Sequence, residues 1–193
     1  MSKTLVIAYS YTGTSRRLAR LLCAQQGWPM GEVVELRPRA GAWGTLRCLL
    51  DSALRRQPSV RYVGPPIKDF DSVVLIAPIW LSRLAGPMRS FIANYADSLP
   101  DIAVISVMGA NGAASAAAEA ARLAERTPLL TAAFRTREIE DDSCAARLLA
   151  FGDALRDGRH ASAPLRPAEV SPAAACPLPL LASPIDLHVM PRA

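Results

Sequence analysis

The chain has 193 residues, 51% of them hydrophobic, which suits one domain with an extension and supplies ample core. The formal charge of +5 is carried almost wholly by Arg, but no basic patch is interleaved with the aromatic residues that would stack bases, so nucleic acid is not an expected partner. Four widely spaced cysteines and two histidines argue against a metal site or a disulfide framework.

The first element is an apolar run, Leu5-Val6-Ile7-Ala8, of the kind found in a strand buried on both faces of a parallel sheet. A helical pattern follows, with Leu18, Leu21 and Leu22 on one face and Arg16, Arg17 and Arg20 largely off it. Between them lies Ser10-Tyr11-Thr12-Gly13-Thr14-Ser15. Gly13 permits a turn with exposed amides, and the hydroxyls of Thr12, Thr14 and Ser15 stand next to the open N–H groups of a helix start. Several such donors converging on one point suit a phosphate monoester. Neither Gly-x-x-x-x-Gly-Lys-Ser/Thr nor Gly-x-Gly-x-x-Gly occurs, so a triphosphate or dinucleotide loop does not fit.

Gly27 and Pro29 end the helix, and Glu32 to Leu36 reads as a second strand. From Arg37 to Ile67 the chain carries an insertion in which Trp43, Leu46, Leu49, Leu50 and Leu54 recur at helical spacing, predicting a helix over one edge of the sheet. Asp71 to Ala77 is the clearest strand. It runs into Pro78-Ile79-Trp80-Leu81-Ser82, read as a loop that places a large ring at the carboxyl edge, where open parallel sheets bind ligands. Pro87 opens the next helix, Met88 to Tyr95.

With these two stretches the chain resembles the flavodoxin-like family of FMN proteins. Tyr-Ser-Tyr-Thr-Gly-Thr-Ser is similar to that family's Ser/Thr-x-Thr-Gly-x-Thr phosphate motif, and Ala-Pro-Ile-Trp-Leu-Ser-Arg-Leu-Ala-Gly-Pro resembles its flavin-flanking loop. The resemblance implies an α/β three-layer sandwich around a five-stranded parallel sheet of order 2-1-3-4-5, with a domain over residues 1–157. It implies FMN as cofactor, its phosphate held by Ser10, Thr12, Gly13, Thr14 and Ser15 and by the backbone amide of Tyr11. Pro78, Ile79, Trp80, Leu81 and Ser82 would then line the isoalloxazine, with Trp80 against a ring face.

Asp101 to Val107 gives the fourth strand, followed by Met108-Gly109-Ala110-Asn111-Gly112 and an Ala-rich helix through about Arg126. By resemblance this is the third flavin loop, with Gly109 and Gly112 allowing close backbone approach and Asn111 hydrogen-bonding the pyrimidine end. It lacks the second aromatic of many electron carriers, which leaves one flavin face open. Leu129 to Thr136 supplies the last strand and Asp141 to Leu155 the last helix. Residues 158–193 are rich in Pro, Ala and Ser and read as a mobile tail.

The function implied is electron transfer through non-covalently bound FMN, either as a carrier docking on a redox protein or as an NAD(P)H-dependent FMN/quinone reductase serving a small-molecule acceptor. A flavin-free binding or assembly module is the reading from another class. A homodimer is left open as a further partner. No apolar run approaches the about 20 residues of a membrane span, and the chain enters a strand without a signal-like leader, so a cytoplasmic location is expected.

Overall fold

The computed structural model describes residues 3–36, 58–109 and 111–158. Strand β1 (Thr4–Ala8) is buried along its length. Its side chains alternate, Leu5 and Ile7 joining the core on one face of the sheet and Val6 and Ala8 the core on the other. β4 (Ser72–Trp80) and β6 (Asp101–Met108) repeat this pattern. Such doubly buried strands need a helical layer on both sides.

Those layers are present. α1 (Thr14–Gln26) packs Leu18, Ala19 and Leu22 on one face, together with Leu148, Phe151 and Leu155 of α5 (Ala145–Arg156). α2 (Gly86–Tyr95) and α3 (Ala113–Ala124) cover the other face with Met88, Phe91 and Ile92 and with Ala116, Ala120 and Ala124. α4 (Thr136–Glu140) is a short turn of helix after β7 (Thr131–Arg135), so the expected last helix begins at Ala145 rather than Asp141.

The sheet order is β3-β2-β1-β4-β6-β7, where β2 is Met30–Glu35 and β3 is Val60–Val63. Its parallel part, β2-β1-β4-β6-β7, has the expected 2-1-3-4-5 order. Two additions correct the five-strand expectation. β3 pairs antiparallel with β2, where the insertion was expected to be helical. Its alternation seats Tyr62 on Gly31, whose absent Cβ would lie 2.5 Å from the Tyr62 ring, and against Phe91 at 5.7 Å between centroids. The expected helix carrying Trp43 to Leu54 and all of the tail 158–193 beyond Gly158 lie outside the described residues.

The second addition is β5 (Arg83–Leu84), which folds back on β4 with Ile79 opposite Leu84 and Trp80 opposite Arg83. Pro78 to Trp80 therefore extends the strand rather than forming a loop. Pro78 is tolerated because β1 ends its pairing at Ala8–Ile76, so the missing N–H falls where β4 has run past that neighbour. No helix among the described residues is long and apolar enough to cross a membrane.

Candidate functional site

The chain runs outward along β1 to β2 and then returns across β1 to β4, so the sheet changes direction between β1 and β4. A crevice opens at the carboxyl ends of strands at such a point. Here it is a cavity of about 280 Å³, lined by Ser10, Tyr11, Thr12, Thr14 and Ser15 after β1, by Pro78, Ile79 and Trp80 at the end of β4, by Val107 and Gly109 at the end of β6, and by Thr136 after β7.

One end is built from hydroxyls and a helix start. Gly13 stands at the N-cap with φ +99°, a conformation that favours glycine, and no side chain caps the helix. The Gly13 amide donates to Ser10 Oγ at 3.0 Å, so it is engaged within the turn rather than exposed, and the Ser10 hydroxyl proton stays available to an outside acceptor. Arg17 N–H is the first to find a helical carbonyl, Gly13 O at 2.9 Å. The amides of Thr14, Ser15 and Arg16 before it have no acceptor within the helix. Thr12 and Thr14 bring their Oγ1 atoms to 3.3 Å.

The two arginines that open α1 are both paired. Arg16 grips Glu32 with Nε and Nη2 at 2.8 and 3.1 Å, and Arg17 holds Asp142 through Nη2 at 2.9 and 2.8 Å. The anion-binding character therefore comes from neutral donors and the helix dipole.

The other end is aromatic. Trp80 makes edge-to-face contacts with Tyr9 at 6.2 Å and Tyr11 at 6.1 Å between centroids. Tyr9 is fixed in turn by its hydroxyl, which donates to Glu35 Oε1 at 2.6 Å. Tyr11, expected to contribute only an amide, thus braces the indole with its ring.

The remaining predicted residues stand outside this cavity. Leu81 and Ser82 form the two-residue turn of the β4–β5 hairpin, with φ of +50° and +58°, and line a separate groove on its far side. Gly112 is pressed against that turn, Asn111 is exposed, and Gly109 alone of the third loop's three reaches the cavity. Thr136 was missed by sequence reasoning, although a hydroxyl directly after the last strand at the carboxyl edge is a readable signal. Among the described residues, no group of three or more His, Cys, Asp or Glu side chains is placed to hold a metal ion.

No family model and no curated protein matches the sequence. Solved structures do. A flavoprotein from Lactobacillus acidophilus NCFM, crystallised in complex with FMN, is similar over 74% of this chain and 99% of its own, at 17% identity and a TM-score of 0.60. A protein from Bacteroides eggerthii DSM 20697 is similar over 73% of this chain and 95% of its own, at 18% identity and a TM-score of 0.58. The chain has the flavodoxin-like fold. A WrbA-like flavodoxin from Agrobacterium tumefaciens shares that flavodoxin-like fold at 8% identity and a TM-score of 0.50, over 82% of this chain and 100% of its own.

Proposed function

We propose that this chain is an FMN-binding redox protein that transfers electrons through a non-covalently held flavin. The observation that carries this reading is the single cavity that joins a helix start ringed by hydroxyls to an aromatic wall at the switch point of the sheet. The donor set fits a phosphate monoester, because the Ser10, Thr12, Thr14 and Ser15 hydroxyls line one end of the cavity beside the first amides of α1, while Arg16 and Arg17 are paired with Glu32 and Asp142. Pro78, Ile79, Trp80 and Gly109 fit a flat apolar ring. Support comes also from the similarity to a structure solved in complex with FMN.

In this reading the loop 10–15 holds the phosphate, and Thr136 stands at the rim of the same cavity. Trp80, braced by Tyr9 and Tyr11, orients the ring system and excludes water from its side. Leu81, Ser82 and Gly112 act through the shape of the hairpin, and Asn111 faces solvent. The flavin supplies one- and two-electron chemistry, while the protein supplies position and environment.

The test is reconstitution with FMN, removal of excess and a visible absorption spectrum. Hydrogen bonds to a charged phosphate contribute about 1.5 to 3 kcal/mol each, so Thr12→Ala/Thr14→Ala is expected to weaken FMN binding by about 100-fold or more. Unchanged retention would sink the assignment. A reductase accepting a hydride from NAD(P)H is the second reading, favoured by the open groove beside the hairpin. Anaerobic NADPH or NADH that bleaches bound flavin within seconds selects it over a carrier fed by a protein.

A further inference from the structure

We propose that the groove between the hairpin turn and α3 is a second binding site, which takes a small organic anion by its phosphate or carboxylate group, held between Arg83 and Arg122. The groove measures about 460 Å³, larger than the flavin cavity. One wall is the turn itself, with Leu81, Ser82 and Arg83. The other is a stripe of α3 in which Ser115, Ala118, Glu119 and Arg122 recur at helical spacing. The space exists because α3 is rich in Ala, and Ala118 puts only a methyl group opposite the hairpin.

Charge selects the ligand. The Glu119 carboxylate is already committed, accepting Leu84 N–H on Oε2 at 3.1 Å and facing the buried Arg89 guanidinium from Oε1 at 3.5 Å. Arg83 and Arg122 have no carboxylate partner among the described residues. Two guanidiniums and the hydroxyls of Ser82 and Ser115 thus face one opening, where planar forks suit carboxylate or phosphate oxygens. Leu81, 59% exposed, offers an apolar contact for the body of the same molecule.

Trp80 lines the cavity at the carboxyl edge and its successors Leu81 to Arg83 line the groove, so the hairpin separates the two. Anion binding in the groove does not rest on the flavin reading.

The experiment is amide chemical-shift titration of the full ¹⁵N-labelled chain, loaded with FMN so that the 10–15 loop is blocked. Pyrophosphate and succinate serve as separate probes at constant ionic strength. Saturable shifts at Ser82, Arg83, Ser115 and Arg122 are expected, with Kd raised about tenfold in each of Arg83→Gln and Arg122→Gln. Tighter pyrophosphate binding identifies a phosphate-bearing ligand, and tighter succinate binding a carboxylate. Shifts confined to residues 10–15, shifts that never saturate, or an unchanged Kd in the double variant would overturn the proposal. If FMN fails to load, the flavin reading fails on its own, and the same titration of the flavin-free chain still decides the groove.

Discussion

Gly112 meets Ser82 backbone to backbone: a Cβ built on Gly112 would lie 2.5 Å from the Ser82 Cα. The third loop and the β4–β5 hairpin are thereby locked together at a point where only glycine fits. Gly112 also has φ +111°, outside the range that side chains adopt readily.

Gly112→Ala should therefore combine backbone strain with a collision against an atom that cannot rotate away. A destabilisation of about 2 to 4 kcal/mol is expected in urea unfolding, with weaker FMN retention because the displaced turn carries Trp80. Gly109→Ala is the contrast. Nothing lies within 4 Å of its built Cβ, so stability should stay within about 0.5 kcal/mol while FMN affinity falls. Equal stability losses in the two variants would contradict this division of roles.

The hairpin turn uses Leu81 and Ser82 where both positions have positive φ. Two-residue turns of this kind favour Asn-Gly. Leu81→Asn/Ser82→Gly should raise stability by about 1 kcal/mol, or roughly 2 to 4 °C in Tm for a chain of this size. A lower Tm would mean that Leu81 contributes packing that outweighs the strain it carries.

Glu138 predicts an acid limb in the stability profile. Burial works to raise its pKa, but hydrogen bonds from Arg147 and from the Arg135 amide outweigh this and hold the carboxyl below its usual range. The contacts are 3.2 and 2.9 Å from Arg147 and 2.7 Å from Arg135 N–H. The stabilisation is fully present above the unfolded pKa of about 4.3 and is lost as pH falls through the lower folded value. Urea midpoints measured from pH 7 down to pH 3 should drop more steeply in the native chain than in Glu138→Gln. Parallel curves would assign the acid limb to other carboxylates.

The parallel core was legible because β1, β4 and β6 are nearly continuous apolar runs, a pattern that a sheet covered on both faces buries. β3 was not, because Val60-Arg61-Tyr62-Val63 follows a stretch with strong helical periodicity, and its alternation was absorbed into that larger pattern. Pro78 hid the last residues of β4, since a proline reads as a break unless the end of the neighbouring strand is known. Strand–loop–helix order was enough to put Ser10 to Ser15 at the carboxyl edge, whereas Trp80, read as part of a loop, stands at the end of β4. The separation of Leu81 and Ser82 from Trp80 depended on two positive φ values in non-glycine residues, which composition does not announce. Nor did the charge of +5 foretell that Arg16 and Arg17 would be tied up by Glu32 and Asp142.

The cavity at the carboxyl edge of the sheet draws on four stretches far apart in the chain, 10–15, 78–80, 107–109 and 136. No pair of neighbouring strands contains it, so it comes into being only when β1, β4, β6 and β7 are all in register. A ligand that binds there has nothing to hold in a partly assembled sheet and acts on the folded state as a whole. Cofactor capture would then serve as a late checkpoint in maturation, with slowed amide exchange spread across the entire sheet rather than confined to the residues that touch the ligand.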